Sequence, residues 1–395
     1  MKILCLSNGH GEDAIALRIL KALQQAAPDL KLAALPIVGD GHAFRSARIP
    51  IAGPTQTMPS GGFVYMDGKQ LWGDVRGGLL GLTRSQLQVV RQWDGTLLAV
   101  GDIVPLLFAW LSGAPYAFVG TAKSEYYLRD EAGPLPRSTW FERLEDWSGS
   151  VYLPWERWLM SRPRCQAVFP RDSLTAKTLQ RWAIPAVDLG NPMMDGLPAA
   201  LPSVNDAPHP RRLLLLPGSR SPEAERNWEV ILAAVDAVLA VWDGVDLLAA
   251  IAPHLNQASF AELLMARGWQ GAAGGYRRGS ATLQMDSRFY ESASQADAAI
   301  AMAGTATEQV VGLGKPVLTL AGEGPQFTPA FAEAQTRLLG PSVELVSAPE
   351  NMGKALQALW DNRQRRRAIA ANGLRRLGPP GAAARIAAHL LNVMA

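Results

Sequence analysis

Two short stretches carry the residue types that hold phosphate. Residues 213–220 read LLLLPGSR, and residues 303–315 read AGTATEQVVGLGK. Each runs from an apolar strand or small-residue loop into a turn that can open a helix, so backbone N–H groups and one or two polar side chains gather beside a phosphorylated ligand. In the first, Gly218 lets the backbone approach a diphosphate, Ser219 donates through its hydroxyl, and Arg220 supplies a permanent charge for phosphate oxygens. A plain turn explains the same residues. In the second, Gly304, Thr305, Ala306, Thr307, Glu308 and Gln309 follow a strand and start a helix, whose first amides stabilise the charge that grows on a departing nucleotide. Glu308 either accepts hydrogen bonds from ribose hydroxyls or caps the helix. Read together, the two stretches point to a nucleotide-sugar site. Neither an Asp-x-Asp pair nor a histidine cluster accompanies them, so neither a metal nor a cofactor is expected.

The amino-terminal half offers a different chemistry. Ser7, Asn8, Gly9, His10, Gly11, Glu12 and Asp13 form a glycine-punctuated loop between strand and helix, and the third glycine of a dinucleotide fingerprint is missing. The loop suits the acceptor side of a cleft, with Asn8, Gly9, Gly11 and Glu12 lining it. His10 is either a base and hydrogen-bond donor or an ordinary loop histidine. Asp102 follows a strand and shortly precedes Pro105, which sets it at a helix N-terminus on the carboxyl edge of a sheet. It either caps that helix or removes the proton from an acceptor hydroxyl as that oxygen attacks an anomeric carbon. For a weak base such as aspartate, proximity and a desolvated site supply most of the effect.

Such residues need a scaffold that delivers them to sheet ends. Apolar runs at 3–6, 97–100, 116–119, 167–169 and 187–189 alternate with helical periodicity at 14–25 and 105–111. A second series runs 213–216, helix 223–241, 247–251, helix 257–267, 298–301 and 317–319. The class is α/β, parallel sheets wrapped by helices. A polar, proline-rich stretch at 197–210 is the best linker, and 395 residues suffice for two domains, each with its own core. Open α/β folds bind ligands at the carboxyl ends of their strands, so function is expected in a cleft between the halves.

The aromatic region 126–158, with Tyr126, Tyr127, Trp140, Phe141, Trp147, Tyr152, Trp155 and Trp158, suits an acceptor groove, a membrane interface or core packing. A glycine-spaced apolar segment at 58–82 is a second candidate surface. The run 97–120 is broken by Asp102, Pro105, Gly113 and Pro115, which reads as strand, helix, strand rather than a membrane span. Six arginines between 363 and 376 form either a solvated helix face or an attraction for phosphate or an anionic membrane. With a net charge of only +3 and no aromatic-basic platform, nucleic acid is not an expected partner. The two cysteines, Cys5 and Cys165, belong to no paired motif, and the N-terminus lacks a signal-peptide core, so a cytoplasmic, reducing setting is expected.

Taken together and in order, these features resemble the GT-B glycosyltransferases, specifically the lipid-A-disaccharide synthase family. The match rests on LLLLPGSR with Glu223 after it, AGTAT with its glutamate and the following GKP, the Asp102 loop, the stretch near Trp140, and LGNPMMD at 189–195. The resemblance implies two Rossmann-like domains with an interdomain cleft. Residues 1–196 would bind the acceptor, 197–362 the nucleotide-sugar, and 363–395 would form a helical segment packing back toward the N-terminal domain. It puts Asp102 at the catalytic aspartate position, Ser219 and Arg220 at the nucleotide phosphates, and Thr305 and Glu308 in the nucleotide segment. It implies transfer of a sugar from a UDP donor to a lipid or lipid-linked sugar, with inversion and without a metal, peripherally on the cytoplasmic face of the inner membrane. The chain departs from the family at the SNGHGED loop, which resembles the loops of transferases acting on muropeptide lipids or diacylglycerol. It also has Asn191, a candidate acceptor contact, where the family has histidine. The acceptor therefore stays open, and a UDP-sugar 2-epimerase of the same architecture, or a binding protein without turnover, are the alternatives.

Overall fold

The computed structural model describes residues 1–56, 79–136, 147–197, 211–324 and 327–394, the side chains of His10, Leu79 and Leu80 excepted. Trp140, Phe141, the linker at 198–210 and most of the 58–82 segment lie outside the described residues. The chain forms two compact units, Met1–Asp195 with Pro379–Ala395, and Gly196–Gly378.

In the first unit the elements are β1 (Lys2–Ser7), α1 (His10–Ala26), β2 (Lys31–Pro36), α2 (His42–Ser46), α3 (Leu79–Gln92), β3 (Thr96–Gly101), α4 (Ile103–Leu111), β4 (Tyr116–Gly120), the two-residue partners β5 (Arg129–Asp130) and β6 (Gly133–Pro134), α5 (Pro154–Met160), β7 (Cys165–Phe169) and α6 (Ser173–Gln180). The sheet order is β2-β1-β3-β4-β7, parallel throughout. Strands β3 and β4 are buried along their whole length because both faces are covered, which is why they read as continuous apolar runs. Leu4, Leu6, Leu97, Ala99, Phe118 and Val168 form the centre of the core. The chain leaves β1 toward β2 and returns on the other side with β3, so the order reverses between β1 and β3. The run 97–120 resolves into β3, α4 and β4, and no helix among the described residues is long and apolar enough to cross a membrane. Cys5 and Cys165 are buried free thiols. Burial pushes both up, Cys165 to about 12, so neither is a nucleophile at neutral pH.

The second unit contains β8 (Arg212–Leu216), α7 (Glu223–Leu239), β9 (Asp246–Ala250), α8 (Gln257–Ala266), β10 (Gln270–Ala272), β11 (Gly275–Arg278), β12 (Ala281–Asp286), α9 (Phe289–Gln295), β13 (Ala298–Ala301), α10 (Thr305–Gly312), β14 (Val317–Thr319), α11 (Pro329–Leu339), β15 (Val343–Leu345), α12 (Met352–Asp361) and α13 (Arg363–Leu377). Its sheet runs β10-β11-β12-β9-β8-β13-β14-β15, with an antiparallel ribbon at one edge and parallel pairing from β12 to β15. Numbered by appearance, the parallel strands lie 3-2-1-4-5-6, the Rossmann order, which reverses between β8 and β13. Trp228, Ile231, Leu247, Phe260 and Ile300 fill the core.

Two expectations need correcting. Residues 187–189 make no strand. Val187 N–H bonds Val168 O at 2.8 Å, but pairing stops at the single bridge Val168–Ala186, beside Pro185, which has no N–H to give. The return to the first unit also begins later than residue 363. Helix α13 packs against α10 and stays in the second unit, and only Pro379–Ala395, with α14 (Ala382–Val393), belongs to the first, where α14 packs on α1. Several of the C-terminal arginines are engaged locally. Arg365 pairs with Glu344, Arg366 donates to Trp360 O, Arg375 donates to Asn372, and buried Arg376 donates to Arg337 O and Leu338 O.

Candidate functional site

At the reversal in the first sheet, β1 and β3 run in register, Ser7 opposite Val100, so the residues after each emerge at one edge. Gly9, at φ 131° in the region that favours glycine, is the N-cap of α1 and starts the helix so that Glu12 and Asp13 fall in its first turn. Gly101 ends β3, also at φ 131°. A Cβ on Gly101 would stand 3.2 Å from Glu12 Cγ and 3.7 Å from its Oε1, so the Glu12 carboxyl lies against the glycine that directly precedes Asp102. Asp102 caps α4. Its Oδ1 accepts from the Val104 N–H at 2.9 Å and its Oδ2 from Asn8 Nδ2 at 3.1 Å. Asn8, Glu12 and Asp102 are thus brought together. Asp13 is turned inward and accepts from Ser7 Oγ at 2.5 Å.

This edge is charged and poorly hydrated. Burial raises the Glu12 pKa to about 7, with the carboxylates of Asp102 and Asp13 pushing the same way. Burial also raises Asp102, opposed by the Val104 N–H, the Asn8 amide and the Lys123 ammonium. Lys123 follows β4 and is fixed by Glu156 Oε2 at 2.6 Å and Val151 O at 3.0 Å. The backbone of His10 stands in the first turn of α1, and its side chain lies outside the described residues. Gly11 is exposed. Asn191, 3% exposed, accepts from the Met193 N–H at 3.0 Å and so caps the turn at 192–194, which Arg18 of α1 holds through Pro192 O. Its side chain serves that turn.

At the second reversal, Leu216 of β8 lies opposite Ala301 of β13, which sets Pro217–Gly218–Ser219–Arg220 beside Met302–Ala303–Gly304. Gly218, at φ 103°, approaches so closely that a Cβ would stand 3.2 Å from Met302 O. Buried Asn227 on α7 ties the two loops from beneath, donating to Pro217 O at 3.0 Å and Met302 O at 3.4 Å. Ala303 O takes the Thr307 hydroxyl at 2.7 Å and Gln335 Nε2 at 3.0 Å. Gly304 caps α10 without a side chain, and helix geometry leaves the first-turn amides without intrahelical acceptors. Ser219, Arg220 and Thr305 are exposed, while Gly218, Gly304, Ala306 and Glu308 are half-buried. Thr307 and Gln309 are buried, so their side chains hold α10 in place rather than meeting solvent. The arrangement can bind a diphosphate through amides, a hydroxyl and a guanidinium.

Sequence reasoning missed three contributors here. His254, after β9, donates from Nε2 to Ser219 O at 2.6 Å. Glu223 was marked only by its place after PGSR, yet its Oε1 accepts from the Phe327 N–H at 2.6 Å. Asn227 carried no local signal, because its acceptors lie on two distant loops.

No protein-family model and no curated protein matches the chain. Solved structures do match, over nearly the whole length. They include MurG from Acinetobacter baumannii, at 14% identity over 99% of this chain and 99% of that one with a TM-score of 0.59. The calicheamicin glycosyltransferase CalG4 matches at 14% over 99% and 98%, TM-score 0.58. The UDP-GlcNAc 2-epimerase from Neisseria meningitidis, bound to UDP-GlcNAc, matches at 15% over 99% and 100%, TM-score 0.57. At such identities the likeness is one of architecture: the chain has the α/β GT-B fold, with two Rossmann-like domains.

Proposed function

We propose that the protein is an inverting glycosyltransferase that takes its sugar from a UDP-sugar and passes it to a hydroxyl of a lipid or lipid-linked sugar, as lipid-A-disaccharide synthases do. The observation that carries this reading is the junction of Pro217–Arg220 with Gly304–Glu308 at the β8/β13 reversal, where open amides and Arg220 suit a diphosphate and Glu308 suits the ribose. The N-terminus of α10 and Arg220 take the place that a metal fills in other transferases. The first unit supplies carboxylates for the acceptor hydroxyl at the β1/β3 edge.

Arg220→Ala is expected to weaken UDP binding about tenfold to a hundredfold, the loss of one charge-assisted contact, and Glu308→Ala about tenfold. Titration calorimetry checks both, and unchanged affinity in both variants removes the nucleotide reading. A screen of UDP-sugars against membrane lipid extracts, read by UDP release and product mass, then identifies donor and acceptor. NMR of the product settles inversion.

Peripheral membrane association belongs to the same proposal. Trp147, Trp155 and Trp158 are exposed, and Trp158 stacks edge-on against Trp110 at 5.3 Å with the Arg162 guanidinium 4.4 Å from its ring. Exposed Leu107 stands on the same helix as Trp110. Tryptophan beside arginine suits the boundary of an anionic bilayer. Double replacement of Trp155 and Trp158 by alanine is expected to lower co-sedimentation with anionic vesicles about tenfold. Equal sedimentation of variant and parent would reject this surface.

A second reading, hydrolysing epimerisation of a UDP-sugar, is favoured by the adjoining carboxyls of Glu12 and Asp102, which also suit proton abstraction from a sugar carbon. Incubation with UDP-GlcNAc alone separates the two: epimer or free UDP without any acceptor supports epimerisation.

A further inference from the structure

We infer that Glu12, rather than Asp102, accepts the proton of the incoming hydroxyl, and that Asp102 is a positioning residue that keeps a negative charge beside it. The inference deepens the transferase reading and rests on it.

The two carboxyls are held differently. Asp102 has an oxygen on each of two anchors, the Val104 N–H at the start of α4 and the Asn8 side-chain amide. Both donors favour its ionised form, and Lys123 adds a cation to the same effect. A carboxylate tied at both oxygens is poor at taking up a proton and turning to deliver it. Glu12 stands on the first turn of α1 with its stem along Gly101, in space that any side chain at 101 would fill. The titratable groups facing it are Asp102 and Asp13, which raise its proton affinity; its own backbone N–H and the Thr121 hydroxyl oppose them, and the Lys123 charge acts on Asp102. Burial and two like charges hold its proton affinity near neutrality, where a general base works best. In the step, the acceptor O–H bond breaks as its oxygen bonds to the anomeric carbon. The proton goes to a Glu12 oxygen, and the bond from carbon to diphosphate breaks with its electron pair leaving on the diphosphate.

The sign of the pH dependence follows. Below about pH 7 Glu12 holds its proton and cannot accept another, so kcat/KM rises as pH increases through that region. Glu12→Gln is expected to lower kcat about a hundredfold or more with UDP affinity and melting temperature unchanged. Asp102→Asn removes a like charge, so the rising limb should move to lower pH while activity persists. Retention of more than a tenth of the activity by Glu12→Gln overturns the inference, and so does an Asp102→Asn enzyme that is inactive or whose limb stays in place. A readout independent of turnover is the side-chain carbonyl resonance of Glu12 by carbon NMR. Titration near neutrality, shifting down in Asp102→Asn, supports the pair, and titration in the ordinary carboxylate range overturns it. If UDP fails to bind while Glu12 still titrates near neutrality, the transferase reading has failed and the carboxyl pair stands.

Discussion

Replacement of Gly373 by alanine is expected to destabilise Gly196–Gly378 by about 3 kcal/mol, the upper end of the cost of overpacking, and to weaken UDP binding with it. Helix α13 crosses α10 so closely that an added Cβ would run into the backbone oxygen of Val311 and stand 3.5 Å from Gly314 Cα. The obstacle is backbone, so no rotamer change relieves it and the helices must separate. Alanine gains roughly 1 kcal/mol over glycine in helix propensity, too little to offset the clash. The crossing is built of small residues on both sides, since a Cβ on Gly314 would meet Ala370 at 3.3 Å. Because α10 opens at Gly304, a shift of its far end tilts the first-turn amides proposed to hold a diphosphate. Thermal melts with and without UDP check this. A variant that melts like the parent would show that the crossing is looser than its geometry.

How much of this was legible in sequence depends on how local each signal is. Strands β1, β3, β4, β8 and β13 were readable because burial on both faces demands unbroken apolar runs such as TLLAVG and RLLLL. Strand β2, KLAALP, has no β-branched residue and escaped notice, as did β12, whose ATLQMD alternates between buried and exposed positions. The opposite error at 187–189 came from a β-favouring local sequence that the neighbouring chain does not pair. The C-terminal arginines show the same limit. Their spacing marks a charged helix, but only packing reveals that Arg376 is buried and closes the carboxyl end of α11.

The loops after β8 and β13 were readable as strand-to-helix turns for a further reason, that a glycine and a short polar run after an apolar strand is a local pattern. Their union was not, because it depends on strand order. The reversal between β8 and β13 puts residues about 85 positions apart side by side, and Asn227 on a third element holds them. Glu12 is the clearest case. Sequence places it in an acceptor loop, while its proton affinity is set by a glycine and an aspartate on β3 and its following turn, about 90 residues away, and by the water that packing removes.

The same edge depends on a carboxylate near the end of the first unit's main segment. Asp195 accepts from three consecutive backbone N–H groups, Gly381 at 2.6 Å, Ala382 at 3.0 Å and Ala383 at 2.7 Å. It therefore caps α14 from outside the helix, satisfying the amides that Gly381, with no side chain, leaves open. Arg385 adds a second tie, donating from Nε to Leu189 O at 3.0 Å. Asp195→Ala should cost about 3 kcal/mol in the docking of α14, the sum of a lost cap and buried donors left unpaired. Since α14 covers α1, and α1 carries Glu12 in its first turn, the loss should spread to the candidate site. Hydrogen exchange is the suitable measurement. Amides of 382–393 should lose most of their protection, those of α1 should lose part of it, and those of β8 and β13 should keep theirs. Asp195→Asn retains one acceptor oxygen and should fall between the alanine variant and the parent. Unchanged exchange across 382–393 in the alanine variant would mean that α14 is held by its apolar face alone, with Ile386 and Leu390 sufficient to dock it.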